Sequence, residues 1–169
     1  SSLFGLFVEN GPLVVDQNMQ VTLSEYSWAE DFSMLYIDNP VGTGFSFTDQ
    51  DSGYATNEED VADNLFETLR QFYTLFKEFS GVPLLITGES YGGKYVPVFT
   101  DKIQREFLIA SVLGMNLTGM AMGNGFSNPE LMLDYAVFLE SVGLANDIEA
   151  EKFMSATAIA KVEISMKKY

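Results

Sequence analysis

Ser90 has glycine two residues away on both sides, in the run Gly88-Glu89-Ser90-Tyr91-Gly92. A serine at that spacing can be a nucleophile raised on a sharp strand-to-helix turn. The turn is so tight that side chains at both flanking positions are expected to collide, which favours glycine. The N–H of Tyr91 would then point at a developing oxyanion, with the positive end of the helix behind it. The alternative for Ser90 is an ordinary helix N-cap. A serine without a base is a weak nucleophile, and the sequence contains no histidine, the usual base. Asp38 lies where a strand should end and reads as a turn stabiliser. Lys94 reads as a surface cation at a helix start. Asn116-Leu117-Thr118 has the form of a glycosylation sequon.

The elements that must position Ser90 follow from hydrophobic pattern and punctuation. Residues 3–8 are apolar and stop at Glu9-Asn10-Gly11-Pro12, a turn signal. Residues 13–15 and 20–23 suit short strands. Residues 34–37 and 84–87 are short apolar runs and predict buried strands. A helix is expected over 58–79, with a capping box formed by Thr56 and Glu59. Its apolar stripe is Val61, Leu65, Leu69, Phe72, Phe76 and Phe79. Helices are also expected over 94–106, from Pro129 to about 142, and over 147–168. A third strand is expected over 116–122. Buried strands alternating with helices predict a parallel α/β sheet. The last helices follow one another with no strand between them, which marks Pro129 as a candidate boundary between 1–128 and 129–169.

Composition narrows the function. The chain has 169 residues, of which 47% are hydrophobic, so it can build a core despite its net charge of −15. With 24 acidic residues against 9 basic ones, binding to nucleic acid or to an anionic membrane surface is disfavoured. There is no run of apolar residues long enough for a membrane span. With neither histidine nor cysteine, zinc sites of the usual kinds are excluded within the sequence.

The longer string Gly88-Glu89-Ser90-Tyr91-Gly92-Gly93-Lys94-Tyr95-Val96-Pro97 closely resembles the nucleophile region of the serine carboxypeptidases. So do Asp38-Asn39-Pro40-Val41-Gly42-Thr43-Gly44-Phe45-Ser46, the stretch from Ser1 to Pro12, and Gly123-Asn124-Gly125, in the family's order. The wording is most like the vitellogenic-like members, and it thins after about residue 145. The resemblance implies an α/β-hydrolase fold with an incomplete sheet, and it makes 129–169 the start of a helical insertion. It implies that Ser90 is the acylated nucleophile. Tyr91 would supply an oxyanion N–H and line the pocket. Glu9 and Glu89 would approach each other and recognise the free C-terminal carboxylate of a peptide. In a close carboxylate pair one member tends to keep its proton and can donate to that carboxylate, which suits acidic surroundings. No cofactor is implied. Asn116 would carry a glycan in a secreted or lysosomal protein. Two departures stand out: Gly93 sits where the family commonly has Ala, and Ala29 follows Trp28 where it commonly has Asn.

The family's Gly-Gly-Pro-Gly segment would fall just before Ser1, and its triad Asp and His beyond Tyr169. The chain is therefore expected to be an N-terminal-half fragment, inactive by itself, of a peptidase that releases C-terminal residues. An acyltransferase on the same scaffold and a non-catalytic interaction protein are the alternatives.

Overall fold

In a computed structural model, residues 2–167 are described, and they cluster into two units. One holds Ser1–Leu85 and Pro97–Gly119; the other holds Ile86–Val96 and Met120–Tyr169.

The first unit opens with a short helix α1 (Ser2–Phe4) that widens into a π-helical turn, Gly5–Glu9. Strands β1 (Leu13–Val15) and β2 (Val21–Leu23) follow as an antiparallel hairpin with Val14 opposite Thr22. Asp16 shapes its turn by accepting from the N–H groups of Asn18 and Gln20, each at 2.8 Å. Helix α2 (Glu58–Leu75) is the backbone of the unit's core. Its N-cap is Asn57, whose side chain accepts from the Asp60 N–H at 3.0 Å. The expected box is thus displaced by one residue: Asp60, not Glu59, reaches back, and it accepts from the Thr56 N–H at 2.9 Å. The helix stops at Leu75, and residues 77–79 form a separate 3-10 turn.

Val61, Leu65 and Leu69 are buried as the stripe requires, but Tyr73 takes over at the C-terminal end while Phe76 is exposed. Ala62 and Phe66 of the same helix, and Phe99, Ile103, Ala110 and Met115 beyond it, are buried as well. Ion pairs rim this core. Lys102 meets Asp63 at 2.8 Å and Glu106 at 3.1 Å, and Arg105 meets Glu59 at 2.9 Å. Pairs of this exposed kind add little, so apolar burial dominates.

Strand β3 (Pro83–Glu89), helix α3 (Gly92–Arg105), helix α4 (Phe107–Leu113) and strand β4 (Asn116–Gly123) form one strand–helix–strand sequence. The two strands are neighbours in one sheet. Gly81 N–H bonds Gly114 O, and further along Thr118 bonds Leu84 O, so both chains advance in the same direction: the pair is parallel. Gly114, left-handed at φ 77°, ends α4.

β3 alternates exposed and half-buried residues and is not the fully buried strand its apolar run suggested. Residues 34–37 form no strand at all. An apolar run becomes a strand only beside a hydrogen-bonding partner, and no described strand pairs with them.

In the second unit the expected helix 129–142 is two, α5 (Pro129–Met132) and α6 (Ala136–Ser141). The break has a cause in α7 (Asp147–Ser165): Thr157 donates to the Leu133 carbonyl at 3.1 Å and Lys161 pairs with Asp134 at 2.6 Å. The Leu133 carbonyl thus takes the Thr157 hydroxyl together with the Tyr135 N–H at 2.9 Å, while the ion pair joins side chains only. α7 starts with a capping box in which Asn146 and Glu149 satisfy each other's N–H groups. It ends at Ser165, and the expected end at Lys168 lies outside the described residues. Among the described residues no helix is long and apolar enough to cross a membrane.

Candidate active site

Ser90 falls between the end of β3 and the start of α3, in the left-handed backbone region at φ 55°. An N-cap has extended backbone, so Ser90 is not one; the residue that enters α3 is Tyr91. L-residues rarely take a left-handed conformation, and here it makes a sharp strand-to-helix elbow.

Both peptide groups of Ser90 are held. Its N–H donates to Gly123 O at 3.0 Å, and its carbonyl accepts from Phe126 N–H at 2.8 Å and from Gly93 N–H at 3.0 Å.

The steric requirement falls differently from the expectation. A Cβ on Gly88 would lie 2.8 Å from Val96 Cγ2, so that position must be small. A Cβ on Gly92 would meet nothing within 4 Å. The crowded neighbour is Gly93, where a Cβ would lie 2.5 Å from Phe126 N. The position with room for alanine is therefore Gly92, and Gly93 has to be glycine here.

Tyr91 is 46% exposed, and its ring packs edge-on against Tyr95 with centroids 5.1 Å apart. Glu89, exposed, is the last residue of β3. Glu9, also exposed, ends the π-helical turn in the first unit. Tyr91, Ser90 and Glu89 share the second unit; Glu9 belongs to the other. Asn116 begins β4, exposed, with its amide donating to Gly81 O at 3.1 Å, while Thr118 donates to Leu84 O at 3.1 Å. Lys94 is half-buried in the first turn of α3.

Asp38 organises a loop, as its sequence setting suggested. Its carboxylate accepts from the Ser2 hydroxyl and from Phe45 N–H at 2.9 Å, and its carbonyl accepts from the Ser46 hydroxyl at 2.7 Å. Those bonds, Ser2 first and Phe45 second, hold its pKa below the ordinary carboxylate value. Ala29, exposed, engages its backbone N–H with Ser27 Oγ at 3.0 Å. No cluster of three or more acidic residues among the described residues could hold a metal ion.

The residues that grip Ser90 from the end of β4 escaped the sequence reading. In the sequence Gly123-Asn124-Gly125 carries part of the family resemblance but no role. The signal that could have found them is the glycine on each side of an Asn, a residue that tolerates left-handed backbone.

Strand, elbow serine and following helix are the central unit of an α/β-hydrolase fold. The crystal structure of Kex1(delta)p, a prohormone-processing carboxypeptidase from Saccharomyces cerevisiae, matches with a TM-score of 0.85 at 28% identity, covering 100% of this chain and 38% of that one. The family model for serine carboxypeptidase matches residues 1–168, and the chain belongs to that family. It is 48% identical to the vitellogenic carboxypeptidase of Aedes aegypti, over 95% of this chain and 33% of the relative. It is also 48% identical to the probable serine carboxypeptidase CPVL of Homo sapiens, over 90% and 32% respectively. The venom serine carboxypeptidase of Apis mellifera is 47% identical over 85% of this chain and 31% of its own length. The chain thus spans about a third of the length of these curated relatives.

Proposed function

We propose that the protein to which this chain contributes removes C-terminal residues from peptides through an acyl-enzyme on Ser90. The observation that carries the reading is the left-handed Ser90 between β3 and α3, in a member of the serine carboxypeptidase family. In the proposed reaction Ser90 Oγ attacks the last peptide carbonyl and loses its proton to a base. The tetrahedral oxyanion takes a hydrogen bond from Tyr91 N–H, the base passes its proton to the amide nitrogen, and collapse breaks the C–N bond and expels the C-terminal amino acid. Water then cleaves the ester. We propose Glu89, next to Ser90 in the chain, as a residue that recognises the substrate's free carboxylate.

The base is not in this sequence, which has no histidine. We therefore assign it to the rest of the parent protein, with residues 129–169 beginning a helical insertion into the core of 1–128. The name of the venom relative fits a secreted protein; in a secreted or lysosomal setting, which we propose, Asn116 would carry a glycan. One of its two amide hydrogens could still bond Gly81.

The test is turnover of blocked dipeptides with a free C-terminus, using the full coding sequence that carries this chain. Ser90→Ala should lower kcat at least about 1,000-fold. Residues 1–169 alone should give no turnover. Robust turnover by those residues that disappears in Ser90→Ala would refute the missing base, and equal turnover by the full-length Ser90→Ala variant would refute the nucleophile. Glu89→Ala should raise KM for free-acid substrates more than for the matching C-terminal amides.

A further inference from the structure

We propose that Asn124 is a positioning residue for Ser90. Held in left-handed backbone, it turns the segment after β4 so that its two ends grip the two peptide groups of the serine. This rests on the reading of Ser90 as nucleophile.

The geometry is reciprocal. Gly123 O takes the Ser90 N–H at 3.0 Å, and three residues later Phe126 N–H returns to the Ser90 carbonyl at 2.8 Å. Between those two points the chain has only Asn124 and Gly125 in which to reverse. Asn124 accomplishes this at φ 47°, so non-glycine residues in the left-handed region sit at the ends of two neighbouring strands, Ser90 on one and Asn124 on the other. Asn is among the few side chains that tolerate this conformation; a β-branched residue does not.

The grip is also steric. A Cβ on Gly125 would lie 3.2 Å from Gly93 Cα, and one on Gly93 would lie 2.6 Å from the Gly125 carbonyl carbon. Backbone therefore packs on backbone, with no side chain between them to give way. The bonds that hold Ser90 among the described residues are main-chain bonds, which fix the direction of its Cα–Cβ bond. If residue 124 leaves the left-handed region, Phe126 N–H swings away and the Ser90 carbonyl loses that donor. The elbow is then free to relax, and the hydroxyl moves from its reactive position.

The experiment compares Asn124→Gly and Asn124→Val in the full coding sequence. Two readouts are taken: the steady-state constants with a blocked dipeptide, and amide hydrogen exchange at Ser90, Phe126 and the α2 core. Glycine adopts the same backbone and should keep both readouts within about two-fold. Valine should lower kcat about 100-fold with KM within about two-fold, the signature of a misplaced reacting group. In the same variant the Ser90 and Phe126 amides should exchange at least about ten-fold faster, while Leu65 and Leu69 in α2 stay protected.

Unchanged kcat and unchanged protection in Asn124→Val would overturn the proposal. So would loss of protection in α2 as well, because the role would then be general stability. If the wild-type protein shows no Ser90-dependent turnover, the proposed function fails, and the exchange arm alone decides whether Asn124 holds the elbow.

Discussion

The elbow at Ser90 and the loop from Asp38 to Ser46 both follow apolar runs, and they are held by opposite means. At the elbow, backbone N–H and carbonyl groups close on one another, and Gly93 packs against the backbone of Gly125 and Phe126. At Asp38 one carboxylate gathers the loop by accepting from Ser2 and Phe45, with Gly44 left-handed at φ 54° pressed against it. The first device does not titrate and depends on side chains being absent. The second depends on one ionised side chain. A loop that must keep its shape across a range of pH is better built the first way.

The contrast can be broken most forcefully at Gly93. Gly93→Ala forces a methyl against backbone that cannot yield cheaply, and should cost about 1–3 kcal/mol, read as a lower urea midpoint at unchanged slope. Asp38→Ala should cost less, about 1 kcal/mol, through the loss of charge-assisted hydrogen bonds, and should leave the elbow amides protected. Acid should act like a partial version of that change. Because the folded pKa of Asp38 is depressed, its contribution is complete above the ordinary carboxylate pKa and fades as pH falls through the lower folded value. Phe45 N–H should then lose protection, measured as a protection factor, while Ser90 N–H does not. The smallest effect should have the opposite sign: Gly92→Ala, with open space at its Cβ, should be neutral or raise stability by about 0.4–1 kcal/mol. If Gly92→Ala proves as damaging as Gly93→Ala, the elbow is tight on both sides and the comparison fails.

The elbow was legible because its requirements are local. A glycine, an apolar run and a second glycine within a few residues dictate the turn, whatever the rest of the chain does. Residues 34–37 carried a similar apolar signal and misled, since a strand is a property of two segments and only one was on view. The break in 129–142 was hidden for a related reason: the groups that claim Leu133 and Asp134 belong to α7, more than twenty residues away. Gly93 misled in the other direction. The resemblance marks it only as a departure from Ala, and the backbone that makes glycine necessary there comes from beyond β4.

Asn10 joins three segments. Its backbone carbonyl accepts from Trp28 N–H at 3.0 Å and Ser27 Oγ at 3.1 Å, and its side-chain oxygen accepts from the Tyr36 hydroxyl at 2.8 Å. The next residue is Gly11, where a Cβ would fall 2.0 Å from Leu6 O, so glycine is obligatory. Asn followed by Gly is the pair most given to spontaneous deamidation, because the unhindered glycine nitrogen can attack the Asn side chain and close a succinimide ring. Here that nitrogen is occupied, its N–H donating to Gly5 O at 3.1 Å inside the π-helical turn. The fold both demands this chemically fragile pair and shields it, so the conversion of Asn10 to aspartate or isoaspartate becomes a clock for how often the first turn of the chain comes undone.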